Sequence, residues 1–310
     1  MTILCKSPSS PFARVGNLVR PVDMLVSAWR FCQSIRAASF ALATLFSLAG
    51  LPAKSDPFAS SWSEQARGTA RMRLIAGGFS KGVYDAAVEI KLSPKAVTYW
   101  RLSGEAGVPP QFSFTGSENV ANAEVLYPAP NRLDEGGIEA FGYRGGVTFP
   151  IRVTPRDATK PSGLALTFDY AVCERICVPV KGHAELLLPQ GGDSPERMAI
   201  MAAKALVPSI LPSAEVAKNV VISAGTDTPA DHAKPHWSLV WKGTMPAIDL
   251  FAEGPDGWAF ETHKTGPNSF SLVPVEMPDA FAGRVSARLT LTGAHKAYEF
   301  TLPLAVAKAP

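Results

Sequence analysis

The chain has 310 residues and a formal net charge of +3, with charged side chains at only 18% of positions. So small a positive excess argues against a nucleic-acid partner, which needs clustered Lys and Arg. The 27 prolines and 25 glycines supply many turns, and frequent turns between short apolar strands point to an all-β architecture.

Residues 1–53 read as a signal peptide. Ala37 to Ala53 is apolar and uncharged, Arg30 and Arg36 precede it, and Lys54-Ser55-Asp56-Pro57 follow. That order of basic, apolar, small and polar residues is the secretory pattern. Cleavage is expected after Ala53, or alternatively after Ala59, with Met24 as an alternative start. An uncleaved membrane anchor is the competing reading, although the apolar run is shorter than the roughly 20 residues of a span. Removal of this segment takes away Cys5 and Cys32, leaving Cys173 and Cys177 as a single pair. The expected location is the periplasm.

Residues 60–190 alternate strand-like runs with turns. Arg71 to Ala76 ends at Gly77-Gly78, and Tyr84 to Leu92 alternates apolar and polar side chains as a half-buried strand does. Val97 to Leu102 is aromatic and β-branched. Gln111 to Phe114, Glu124 to Tyr127, Gly146 to Val153, Leu164 to Tyr170 and Ala184 to Pro189 complete about eight strands, the count of a β-sandwich. Residues 191–214 read as a helical linker, with Asp193 or Ser194 as cap and Pro208 and Pro212 as terminators. Residues 215–310 read as a second, smaller β-sandwich. Its strands are expected at Trp237–Trp241, Ile248–Ala252, Ser269–Val275, Val285–Leu291 and Tyr298–Leu304.

The chemistry-bearing motif is Cys173-Glu174-Arg175-Ile176-Cys177-Val178-Pro179. Two thiols at this spacing can close a ring if the backbone turns sharply. The second can then resolve a mixed disulfide formed by the first. Two thiolates also suit a soft ion such as Cu(I), and a static hairpin disulfide is the structural alternative. Arg175 and Lys181 are expected to favour thiolate. His232 and His236 are four apart, but Pro235 between them argues against an aligned metal pair. No phosphate loop, small-molecule site or cofactor motif stands out.

Tyr143-Arg144-Gly145-Gly146-Val147-Thr148-Phe149-Pro150-Ile151, the strand Leu164 to Tyr170, the pair Cys173 and Cys177, and Val178-Pro179 occur in the order seen in one family. From about Trp62 to Pro189 the chain resembles the N-terminal periplasmic domain of the thiol:disulfide interchange protein DsbD and the related alpha domain of ScsB-type copper-tolerance proteins. The resemblance implies an immunoglobulin-like sandwich with Cys173 and Cys177 as the reactive pair. It implies no cofactor. The partners it implies are a membrane thiol reductase and periplasmic thioredoxin-like proteins. It also implies a cap loop in which Asp134 and Glu135 take the acidic positions; if close to the sulfurs, their charge is expected to disfavour thiolate and to serve in proton handling. Gly136 stands where the family has a shielding aromatic. Tyr127, Tyr99 and Phe141 are candidates to replace it, although Tyr99, Trp100 and Tyr127 read first as core or edge packing.

Overall fold

In the computed structural model, residues 56–226, 235–278, 281 and 283–306 are described. The leader, Cys5, Cys32 and His232 lie outside them. The first eleven strands are β1 (Ser63–Gln65), β2 (Ala70–Ser80), β3 (Val83–Leu92), β4 (Val97–Gly104), β5 (Gln111–Ser113), β6 (Val120–Val125), β7 (Asn131–Asp134), β8 (Glu139–Arg144), β9 (Gly146–Pro155), β10 (Ser162–Cys173) and β11 (Cys177–Leu188). They form two sheets, ordered β1-β2-β3-β9-β6 and β11-β10-β4-β8-β7, with β5 on the flank of β10. Period-two side-chain alternation explains the layering. In β10, Leu164, Leu166, Phe168, Tyr170 and Val172 are buried, and the alternate residues Ala165, Thr167 and Asp169 are half-buried. These inward side chains meet Met72, Leu74, Val88, Ile90, Phe149 and Ile151 of the facing sheet in one core.

A helix, α1 (Arg197–Ala205), follows. Ser194 shapes its entry: the hydroxyl accepts the Glu196 N–H at 3.0 Å and donates to the Ala76 carbonyl. Ile200 of α1 packs with Ile75 and Ala87 on the outer face of the first sandwich. Next come β12 (Ser209–Ile210), α2 (Ser213–Asn219), β13 (Val220–Thr226), β14 (Pro235–Trp241), β15 (Asp249–Glu253), β16 (Ala259–Gly266), β17 (Ser269–Glu276), β18 (Gly283–Thr292) and β19 (Ala297–Val306). One hydrogen-bonded path links these strands in the order β12-β19-β18-β15-β16-β17-β14-β13. A single pair, Glu253↔Ala259, joins β15 to β16. The path therefore doubles over there, and side chains from both arms share one core: Leu250, Leu289, Phe300 and Leu304 from one, Trp237, Leu239, Phe270 and Leu272 from the other. The Trp237 indole N–H spans the layers to the Ala305 carbonyl at 3.0 Å. The protein is all-β, with immunoglobulin-like sandwich architecture.

Aromatic and ionic contacts join the sandwiches. Phe251 of β15 enters the first core, 4.9 Å from Phe141 and 5.7 Å from Trp100 between ring centroids. Arg101 pairs with Glu253 and Glu299. Arg132 binds Asp249 in bidentate fashion, at 2.8 and 2.9 Å. Among the described residues, no helix is long and apolar enough to cross a membrane.

Candidate functional site

Strand parity sets the site. Val172 faces the main core, so its neighbours Ala171 and Cys173 face the other side of the sheet. By the same alternation Trp100 faces the core and Val97 and Tyr99 face outward. These outward residues do not meet water. They pack with Leu133 and Ala140 in a small second cluster, over which the β7–β8 hairpin closes.

Cys173 and Cys177 sit directly opposite each other at the last register position of β10 and β11. Glu174, Arg175 and Ile176 form the turn, and the cysteines are joined as a disulfide with α-carbons 4.0 Å apart. Their environments differ. Cys173 is 4% exposed and embedded in the small cluster, whereas Cys177 is exposed. Ile176 at the tip is 79% exposed, and Val178 beside Cys177 is also exposed.

Tyr99 reaches the sulfurs. Its hydroxyl lies 2.8 Å from Cys173 Sγ, 3.6 Å from Cys177 Sγ and 2.8 Å from Glu135 Oε2. The phenol has one proton, which it donates either to the carboxylate or to the sulfur. Burial first, then the hydrogen bond to Glu135 and its negative charge, push the Tyr99 phenol well above its ordinary value. The phenol therefore stays protonated and serves as a donor. Among the proposed substitutes for the missing cap aromatic, Tyr99 is the one at the sulfurs. Tyr127 instead packs on Phe112 and Phe149, and Phe141 on Phe251.

Two glycines make room for Tyr99. A β-carbon on Gly107 would stand 2.4 Å from its ring, and one on Gly142 would stand 2.1 Å from the Thr98 carbonyl oxygen. Gly142 is the register partner of Tyr99, so its bare α-carbon lets β4 and β8 approach closely. The ladder then shifts register between Tyr99 and Gly104, a bulge of the kind that re-aims side chains beside functional sites.

The acidic pair divides its duties. Asp134 is exposed, and its carboxylate accepts the Gly137 N–H at 2.6 Å, holding the turn. Glu135 turns inward to Tyr99. Its other oxygen, Oε1, is buried with no hydrogen-bond partner among the described residues. Gly136 and Gly137 adopt φ of +73° and +91°, backbone that disfavours a bulky side chain. An aromatic at Gly136 is therefore strained in this loop, consistent with cover arriving from β4. Lys181 pairs with Asp169 at 3.4 Å. Four residues of strand, about 13 Å, separate it from Cys177, too far to govern the thiolate directly. Arg175 is exposed in the turn.

From sequence alone Tyr99 reads first as a packing residue. The signal that could have raised it is parity: an odd-face aromatic on a strand whose even face is core, with glycines at positions 107 and 142.

Residues 73–189 match the family model for the N-terminal part of the thiol:disulfide interchange protein DsbD. The crystal structure of the N-terminal periplasmic domain of ScsB from Proteus mirabilis superposes with a TM-score of 0.60 at 20% identity, over 81% of this chain and 99% of that one. The likeness extends past the cysteine domain and shows a shared fold. The C-terminal domain of the AgI/II polypeptide BspA from Streptococcus agalactiae aligns at 9% identity over 75% of this chain and 96% of that one, but its TM-score of 0.16 carries no argument. A search of curated proteins finds no match. Residues 73–189, which include the strand pair ending in Cys173 and Cys177, are thus similar to the N-terminal domain of the thiol:disulfide interchange protein DsbD.

Proposed function

We propose that the protein exchanges disulfides with other thiol proteins in the periplasm through Cys173 and Cys177. The observation that carries this reading is the asymmetry of the pair: one sulfur exposed, the other buried against a phenol donor. Exchange needs an accessible sulfur and a leaving thiolate that is stabilised. With the oxidised protein, a partner thiolate attacks Cys177 Sγ along the S–S axis. A partner–Cys177 bond forms, the Cys173–Cys177 bond breaks, and its electron pair leaves on Cys173. Tyr99 Oη turns its proton from Glu135 to that sulfur. A second partner thiolate then displaces Cys177, leaving a dithiol here and a disulfide in the partner.

In the reverse direction Cys177 attacks the partner's disulfide and Cys173 resolves the mixed species. The Cys173 thiol proton passes toward Tyr99 Oη while Tyr99 donates to Glu135. Glu135, not Asp134, handles the proton. Exposed Ile176 and Val178 supply apolar contact for the partner beside the attacked sulfur. By family resemblance the electron donor is a membrane thiol reductase, and the acceptors are periplasmic thioredoxin-like proteins.

Trapping tests the assignment. Cys173→Ser leaves the exposed sulfur without its resolving thiol and is expected to accumulate a reductant-sensitive covalent complex in the periplasm. Cys177→Ser should trap far less, because Cys173 is covered. The double variant should trap nothing. If neither single variant captures a partner while both lose about 2–5 kcal/mol of stability, the disulfide is structural and the reading is wrong.

A further inference from the structure

Among the described residues, Glu135, Cys173 and Cys177 form a group whose metal-ligand atoms all lie within 4.8 Å of one another. A second observation points the same way. Glu135 Oε1 is buried and lacks a hydrogen-bond partner among the described residues, and a carboxylate oxygen left bare in that way is costly. A cation beside it removes the cost.

The oxidised pair cannot serve as thiolate ligands, because each sulfur is bonded to the other. Reduction by a dithiol donor adds two electrons and two protons, and it frees two sulfurs anchored at facing positions of one hairpin. A tetrahedral zinc ion, with Zn–S of about 2.3 Å and Zn–O of about 2.0–2.2 Å, sets its ligands about 3.6–3.8 Å apart. The sulfurs reach that separation by side-chain rotation once the bond is gone, and a Glu135 carboxylate oxygen, within 4.8 Å of both, closes the remaining gap by a small rotation of its own. Two sulfurs and a carboxylate oxygen suit the borderline ion Zn²⁺, whereas Cu(I) prefers thiolates alone.

We propose that the reduced hairpin holds one Zn²⁺ ion through Cys173, Cys177 and Glu135. A fourth position faces solvent on the Cys177 side. Binding exchanges two thiol protons for the ion and changes no oxidation state. The loaded form has no free thiolate, so zinc halts exchange until a competing ligand removes it. This inference rests on the exchange reading only in requiring that the pair can be reduced.

The test is a titration of phosphine-reduced protein, in the absence of oxygen, with Zn²⁺ against a chromophoric chelator. A parallel titration uses Co²⁺, whose thiolate charge-transfer band reports sulfur ligation. The expected result is one ion per reduced chain, bound more tightly than about 1 μM, and no binding to the oxidised chain. Glu135→Gln should weaken zinc at least about tenfold, since even outer-shell partners are worth that much. Asp134→Asn should leave affinity unchanged, because the amide oxygen still accepts from Gly137. Equal affinity of wild type and Glu135→Gln, equal binding to oxidised and reduced protein, or retention of Cu(I) without zinc would overturn the site. The Cys173→Ser trap in zinc-free buffer separates the two readings. Capture without zinc binding sinks only the metal site, and zinc binding without capture sinks only exchange.

Discussion

The two sandwiches are built from the same materials and differ in where their ladders break. In the second, β18 and β19 pair without interruption from Gly283↔Val306 to Thr292↔Ala297, and the inward face is apolar. In the first, β4 and β8 lose register after Tyr99, and β10 meets β4 only at Cys173↔Val97. Through that opening a phenol and a carboxylate reach two sulfurs. An unbroken ladder stores stability, whereas an interrupted one brings side chains from distant strands onto a single atom. The second sandwich has a share in the site nonetheless. Arg132, on the strand leading to Glu135, is held by Asp249, Thr262 and the Leu250 carbonyl.

The largest expected effect breaks the join. Phe251→Ala should cost about 3–5 kcal/mol in denaturant unfolding, and hydrogen exchange should register the loss in β8 and β10 as well as in β15. Loss confined to β15 and its neighbours would mean that the sandwiches are energetically separate. Next, Arg132→Ala removes hydrogen bonds to a carboxylate, worth about 1.5–3 kcal/mol. It should also speed alkylation of reduced Cys173 by loosening the hairpin. An unchanged alkylation rate would deny the second sandwich any role in covering the sulfur.

Gly107→Ala forces a methyl into the Tyr99 ring and should cost about 1–3 kcal/mol, with faster alkylation of Cys173. Tyr99→Phe should cost less, about 1 kcal/mol, and should slow exchange more than it changes stability. The pH dependence is the finest test. Tyr99 and Tyr170 are both raised above the ordinary tyrosine value of 10.0, chiefly by burial. Each folded phenol holds its proton more tightly than the unfolded one. Their contribution is therefore full below pH 10 and is lost as pH rises through the folded values. Alkaline unfolding should be less steep in Tyr99→Phe, because one such proton is gone. Identical alkaline profiles would mean that Tyr99 is not in the buried, Glu135-bonded position.

Much of the fold was legible because alternation is a local signal. Leu164 to Tyr170, Tyr84 to Leu92 and Val285 to Leu291 each bury every second residue, with Ala87 and Thr290 buried on the opposite face as well, and each lies within a strand. The elements that escaped notice lack that signal. β7 and β8 are short and meet across Asp134-Glu135-Gly136-Gly137, so their pairing depends on a turn. β16 ends in the exposed run His263-Lys264-Thr265, which hides the alternation of its first half. β6 spans Val120–Val125, earlier than the expected Glu124 to Tyr127, because Tyr127 lies beyond the strand and packs its ring on Phe112 and Phe149. The cysteine pair was visible as spacing, and the acidic loop through resemblance. The union of Tyr99, Glu135 and Cys173 was not, since it arises from cross-strand register between segments 36 and 74 residues apart.

The most direct measurement is the equilibrium redox potential of the Cys173–Cys177 pair. The protein is equilibrated in thiol–disulfide buffers, and alkylation then counts the free thiols. The account predicts a value at or above about −270 mV, where exchange with thioredoxin-like proteins runs in either direction. A value below about −300 mV, the range of structural disulfides, would contradict it.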